Sequence, residues 1–83
     1  MEITLSKQAK KYLLKCDNKT YIRLNETING LVNFEGDIAK LQGREDAYRL
    51  KKPPYRIIFT YAKGSTIIYV EGIYPRGDAY KKG

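Results

Sequence analysis

Two short basic segments of this chain place arginine beside tyrosine. The basic side chains of the first segment, residues 48–56, are Arg49, Lys51, Lys52 and Arg56. The second segment, residues 73–83, ends in an arginine, a tyrosine and two lysines, which are Arg76, Tyr80, Lys81 and Lys82. An arginine presents a planar fork of donors that matches a phosphate. A tyrosine stacks on a base, or carries a proton if its pKa is lowered. These residue types predict a surface that holds a nucleic-acid backbone next to a base.

The charge of the chain supports a polyanionic partner. The 83 residues carry 16 basic and 9 acidic side chains, a net charge of +7. Residues 1–43 contribute +2 and residues 44–83 contribute +5, and six of the eight tyrosines also lie in the second half. A positive field draws polyanions and steers their association. A lysine-rich surface that only keeps the chain soluble would give the same net charge, but arginine and tyrosine in the same segments favour nucleic acid.

The sequence lacks the residues that most catalytic mechanisms require. The chain has no histidine, which excludes a Ser-His-Asp triad, and the single Cys16 makes a zinc site and an internal disulfide untenable. No phosphate-binding GxxxxGK[ST] or GxGxxG segment is present. The neighbouring carboxylates Glu35 and Asp37, and Glu45 and Asp46, fall at the ends of predicted elements, where solvated acids are ordinary. We therefore expect no metal and no cofactor.

The remaining arginine, lysine and tyrosine suit one reaction on RNA. A ribose 2′-hydroxyl attacks the adjacent 3′-phosphate, and fixed cations stabilise the charge that develops on the phosphorane. Arginine stays protonated and cannot act as the base. A tyrosine or a lysine can do so if surrounding cations depress its pKa, and the residues alone do not decide between them.

The first half of the chain shows helical periodicity. Residues 2–5 alternate and predict a short strand, after which Ser6 caps a first helix. The apolar positions of this helix are Ala9, Tyr12, Leu13 and Cys16. Asp17 or Asn18 caps a second helix, which ends between residues 33 and 36 and whose apolar positions are Tyr21, Leu24, Ile28 and Leu31. So short a connection predicts a helical hairpin.

The second half shows two-residue alternation. We expect strands at residues 37–41, 47–51, 55–61 and 66–74, with Pro53 and Pro54 interrupting pairing and Gly64 in a hairpin turn. Tyr55, Ile57, Phe59 and Tyr61 share one face, and Arg56, Ile58 and Thr60 share the other. The expected fold is α+β, a single domain over residues 1–83 in which a helical hairpin packs on one face of a three- to four-stranded antiparallel sheet.

A collinear set of short motifs resembles the RelE/ParE superfamily of bacterial and archaeal type II toxins. Its pieces are Lys7-x-Ala9-x-Lys11-x-Leu13, Asp37-Ile38-x-Lys40-Leu41, Tyr48-Arg49-Leu50, Tyr55-Arg56-Ile57-Ile58-Phe59 and Arg76-Gly77-Asp78-x-Tyr80-Lys81. The resemblance covers nearly the whole chain. It implies a RelE-like toxin that cleaves messenger RNA in the ribosomal A site by 2′-hydroxyl attack, a metal-independent endoribonuclease.

The resemblance also assigns roles to residues. Arg56 and Arg76 would stabilise the phosphorane and the leaving group, and Tyr80 would stack on the base beside the cut. Arg49, Lys51 and Lys52 would contribute from the preceding strand, while Lys81 and Lys82 add sequence-independent attraction to phosphates. The alternatives are that the Arg56 stem only covers apolar sheet surface, that Arg76 is a solvated turn residue, and that Tyr80 only packs the C-terminal segment on the sheet.

The implied partners are a cognate acidic antitoxin and messenger RNA on the ribosome, with DNA contacted only indirectly through an antitoxin complex. No apolar run approaches the roughly 20 residues that cross a bilayer, and no signal peptide is recognised, so no membrane is expected and the predicted location is the cytoplasm. Two other functions stay open. One is a ParE-like inhibitor of DNA gyrase, and the other is an inactive family member that only binds its antitoxin.

Overall fold

The computed structural model of the chain describes residues 1–75. Over these residues the chain forms two α-helices, one short 3-10 helix and five strands, which in chain order are β1 (Glu2–Leu5), α1 (Lys7–Lys15), α2 (Asn18–Asn29), the 3-10 helix Gly30–Asn33, β2 (Asp37–Lys40), β3 (Ala47–Lys52), β4 (Tyr55–Thr60) and β5 (Ile67–Pro75). The two helices pack on the sheet, so the predicted α+β class is confirmed.

Both helices begin at the predicted caps. The Ser6 hydroxyl accepts the Ala9 N–H at 3.1 Å, and the Asp17 carboxylate accepts the Thr20 N–H at 3.3 Å. Each bond satisfies a backbone donor that has no partner within the first helical turn. The Ser6 hydroxyl also donates to the backbone oxygen of Glu71 at 2.6 Å, which ties the start of α1 to β5.

The end of the second helix differs in form from the prediction. The α-helix stops at Asn29 and a 3-10 turn continues to Asn33. Phe34 then adopts a left-handed conformation with φ 54°, and Gly36 follows with φ 114°. A Cβ on Gly36 would lie 2.6 Å from Cδ1 of Leu50, so this turn needs glycine both for its φ and for the space.

The sheet is larger than predicted and it is mixed. Within the described residues its order is β1-β5-β4-β3-β2, and β2, β3, β4 and β5 form the antiparallel meander that the alternation indicated. β1 pairs in parallel with β5, with Ile3 opposite Ile68 and Leu5 opposite Val70. The predicted antiparallel strands are confirmed as a meander of four, and the sheet exceeds the prediction by a fifth strand, β1, whose partner lies more than 60 residues away in sequence.

One face of the sheet and the helices enclose the apolar core. Its fully or almost fully buried members are Ala9, Leu13, Leu24, Ile28, Leu31, Leu50, Ile57, Phe59, Ile68, Val70 and Ile73. Two aromatic residues lie at the margin of this core: Tyr21, predicted as an apolar position of the second helix, is 41% exposed, and Phe34 is 39% exposed. The left-handed turn at Phe34 nevertheless brings its ring against Tyr48, Phe59 and Tyr61. The core thus fixes β3, β4 and β5 as a platform, and no helix of residues 1–75 packs on its second face.

Candidate nucleic-acid interface

The face of the sheet opposite the helices carries three of the four basic residues of the first segment. Strand register places Lys51 beside Arg56, and Arg56 beside Tyr74. The next row of the same face places Arg49 beside Ile58, and Ile58 beside Gly72. Side chains directly opposite each other on adjacent strands have Cβ atoms roughly 4.5–5.5 Å apart. We call the surface formed by Arg49, Lys51, Arg56, Gly72 and Tyr74 the open face.

The two arginines of the open face are held close to the sheet. The Nε atoms of Arg49 and Arg56 are buried, whereas Lys51, which lies on β3 with Arg49, is exposed. Lys51 and Arg56, together with Pro53 and Pro54 of the β3–β4 hairpin turn, line a pocket of about 200 Å³. A pocket lined by two cationic side chains presents hydrogen-bond donors to a phosphate.

The structure brings three of the predicted residues together and separates a fourth from them. Arg49, Lys51 and Arg56 share the open face. Lys52 is in register with Tyr55, so alternation places it on the side of the helices, where it lines a cleft with acidic residues including Glu35. The other predicted site residues, Arg76, Tyr80, Lys81 and Lys82, lie outside the described residues.

Tyr74, the aromatic residue beside Arg56 on the open face, was not among the site residues predicted from the sequence. A Cβ added to Gly72 would lie 2.7 Å from Cε2 and Cζ of Tyr74, so the tyrosine ring covers the backbone of this glycine. Gly72 is buried and Tyr74 is half-buried. A glycine two residues before a tyrosine in a β-rich segment was the available signal, because residues i and i+2 of a strand share a face.

The end of β5 that carries Tyr74 is fixed by α1. β1 pairs with β5 only as far as Val70, which leaves the next backbone groups of β5 without a strand on that side. The Gln8 side chain forms hydrogen bonds with these backbone groups. Its Nε2 donates to the Ile73 oxygen at 2.8 Å, and its Oε1 accepts the Ile73 N–H at 2.9 Å. Gln8 thereby replaces a strand pair immediately before Tyr74.

One further arginine of the basic half is engaged elsewhere. Arg44 donates to both carboxylate oxygens of Glu71, at 3.1 and 2.6 Å. This ion pair lies at the irregularity of β5, where Phe59 faces Val70 and Ile58 faces Gly72, so that Glu71 is the additional residue. Arg44 is therefore held by a carboxylate of the protein at this irregularity.

Cys16 does not have the setting of a reactive thiol. Its Sγ donates to the Tyr12 oxygen at 3.2 Å. Burial raises the pKa of the thiol, and the neighbouring Asp17 carboxylate raises it further. A raised pKa lowers the thiolate fraction, and the thiolate is the nucleophile. Among residues 1–75 no cluster of three or more Cys, Asp or Glu side chains is arranged to hold a metal ion.

Several solved structures that resemble this one contain RelE toxins. The RelE chain of the archaeal RelE–RelB complex from Pyrococcus horikoshii OT3 is 27% identical, with a TM-score of 0.76 over 93% of this chain and 96% of that chain. The chain of the RelB–RelE antitoxin–toxin complex from Methanococcus jannaschii is 20% identical, with a TM-score of 0.73 over 95% and 96%. The isolated RelE toxin of E. coli is 19% identical, with a TM-score of 0.72 over 96% and 90%.

No protein-family model and no curated protein matches the chain. The structural matches confirm the predicted resemblance: the chain has the fold of the RelE-type toxins and is RelE-like. No helix within residues 1–75 is long and apolar enough to span a membrane.

Proposed function

We propose that this chain is the toxin of a type II toxin–antitoxin system and that it cleaves messenger RNA on the ribosome. The observation that carries the proposal is the row of Lys51, Arg56 and Tyr74 beside Arg49, on the face of a RelE-like sheet opposite the two described helices. Cations next to an aromatic ring are what a phosphate and its base require. The predicted location is the cytoplasm, where messenger and ribosomes are found.

The reaction is an attack of the ribose 2′-oxygen on the adjacent phosphorus. The new O2′–P bond forms a 2′,3′-cyclic phosphate, the bond from phosphorus to the 5′-oxygen breaks, and the leaving oxygen gains a proton. Arg56 stabilises the phosphorane because it keeps a permanent positive charge at the pocket that it lines with Lys51. Arg76 is proposed to share this role and Tyr80 to stack on the neighbouring base, as the resemblance implies. A tyrosine or a lysine accepts the proton of the 2′-hydroxyl.

The partner proposed for the basic half of the chain is an acidic antitoxin. The neighbours from Pyrococcus horikoshii and Methanococcus jannaschii are complexes with RelB. The net charge of +5 over residues 44–83 would attract a segment rich in Asp and Glu. Binding of an acidic antitoxin should therefore weaken as salt rises. An affinity that did not change between low and high salt would contradict the electrostatic part of this proposal.

Induction of the chain in a bacterial host tests the proposal in cells. Wild-type protein should arrest growth and create new transcript ends within coding regions, and Arg56→Ala should do neither. Lys63→Ala is the matched control: it also removes one positive charge, but from the β4–β5 turn at the opposite end of β4. Intact transcripts together with relaxed plasmid DNA would instead indicate gyrase inhibition. Growth and transcripts that stay normal at high expression would indicate an inactive antitoxin-binding protein.

A further inference from the structure

Three features of the fold define the position of the Tyr74 ring. The missing side chain of Gly72 leaves room for the ring, since any Cβ there would meet ring atoms at 2.7 Å. Gln8 holds the backbone of the preceding residue, Ile73, through two hydrogen bonds. The cross-strand neighbour is Arg56, whose Nε is buried. A ring held in this way loses little conformational freedom when a ligand lands on it.

We propose that Tyr74 is a base-binding residue of the cleavage site and that it orients single-stranded RNA. The nucleotide base would stack on the tyrosine ring while the adjoining phosphate enters the pocket of Lys51 and Arg56. This inference rests on the proposed function and adds a second aromatic contact to the one assigned to Tyr80. Stacking tolerates every base but is lost when the base is absent, because the ring contacts only the π-face.

A purely structural role for the same ring makes a different prediction. Aromatic side chains cover glycines in sheets and stabilise the pairing around them. If Tyr74 did only this, its removal would lower stability and would affect all RNA substrates equally. If Tyr74 binds a base, its removal must cost more on a messenger that has the base than on a messenger that lacks it. The two roles are therefore distinguished by whether the loss of cleavage on removing the ring depends on the presence of one base in the messenger.

The experiment is single-turnover cleavage on programmed ribosomes by the full chain. Four messengers are compared: one intact, and three with an abasic nucleotide at one of the three A-site codon positions. The protein concentration that gives half-maximal cleavage is measured separately from the maximal rate. The variants are Tyr74→Phe, which keeps the ring, and Tyr74→Leu, which removes it. Tyr69→Leu is the matched control, since Tyr69 is a 40% exposed tyrosine on the same side of the same strand, but it lies opposite Thr60 and does not border the pocket of Lys51 and Arg56.

On the intact messenger, Tyr74→Leu should raise the half-maximal concentration by roughly 5- to 150-fold, the range for one base stacked on an aromatic ring. On one of the abasic messengers the same substitution should change it by no more than about twofold, because the contact is already missing there. Tyr69→Leu should resemble wild type on all four messengers. Tyr74→Phe keeps the stacking ring, so it should change the half-maximal concentration on the intact messenger by no more than about twofold.

Gly72→Ala gives a second test in which the ring is kept but displaced. Its Cβ must push the Tyr74 ring off the sheet, so this variant should show the same dependence on the base as Tyr74→Leu. Equal losses on all four messengers would overturn the inference in favour of a structural role, and no loss would overturn it outright. Wild-type protein that leaves the intact messenger uncut would refute the proposed function itself, which is a separate result.

Discussion

Replacing Arg56 by alanine should slow cleavage by about two orders of magnitude. Arg56 lies on β4, the middle strand of the five in the described sheet, with its Nε buried and its side chain half-exposed. Two unit charges 4 Å apart attract with about 1 kcal/mol in water and about 4 kcal/mol near a protein surface. The partial burial of Arg56 places it between these limits, which corresponds to roughly 5- to 1000-fold in rate. Loss of one preorganised donor typically costs about 100- to 1000-fold, in agreement with the upper part of this range.

Arg56→Lys separates the charge of Arg56 from its geometry. Lysine keeps a point charge but lacks the planar fork that contacts two phosphate oxygens together. We therefore expect a loss intermediate between wild type and Arg56→Ala. Arg56→Gln keeps a long polar side chain but removes the charge, so its cleavage rate should be similar to that of Arg56→Ala.

The assay is the maximal single-turnover rate on programmed ribosomes, with circular dichroism and thermal melting as checks of the fold. Lys63→Ala again serves as the control for the loss of one distant positive charge, and it should cleave at the wild-type rate. A folded Arg56→Ala variant whose maximal rate lies within about threefold of wild type would refute the reasoning, because so small a change is below 1 kcal/mol. In that case the Arg56 stem would only cover the sheet.

Three other predictions concern separate parts of the molecule. Lys51→Ala should raise the protein concentration that gives half-maximal cleavage a few-fold, with little change in the maximal cleavage rate. The effect is small because Lys51 is exposed and salt screens its charge. A large loss of the cleavage rate at saturating protein would contradict this prediction. Gly36→Ala should reduce the free energy of unfolding by about 1–3 kcal/mol, which is more than Gly43→Ala should cost. Both glycines have positive φ, but only a Cβ at Gly36 would meet Leu50. Urea unfolding measures the two losses, and equal losses would exclude the contact with Leu50. Cys16 should react with iodoacetamide at pH 8 more slowly than a small free thiol, because its raised pKa leaves less thiolate.

Local features of the fold were predictable because local interactions determine them. Ser6 and Asp17 cap the two helices as expected, since the capping bond spans only three residues. The end of α2 was less predictable, because the left-handed turn falls on Phe34, whose ring packs against Phe59. The partner of β1 was not predictable at all. The alternation of residues in β1 shows which of its side chains face the core but not which strand β1 pairs with. That strand, β5, is distant in sequence.

The site shows the same division between local and distant information. Alternation from Tyr55 placed Arg56 on the face opposite Ile57, as the structure confirms. The place of Tyr74 could not be counted in this way from the start of β5, because the additional residue Glu71 shifts the alternation before Gly72. Register across three strands, which brings Arg56 beside Tyr74, depends on pairings that the sequence does not encode locally.

The most direct measurement is the reaction of the purified full chain with programmed ribosomes, followed by analysis of the RNA ends. The account predicts that the messenger is cut within the A-site codon, that the upstream fragment ends in a 2′,3′-cyclic phosphate, and that the downstream fragment begins with a 5′-hydroxyl. Cleavage should not require added metal beyond what the ribosomes need, and an Arg56→Ala, Arg76→Ala double variant should be inactive while folded. An intact messenger in the presence of wild-type protein, together with a block of gyrase supercoiling in a parallel reaction, would contradict the central claim.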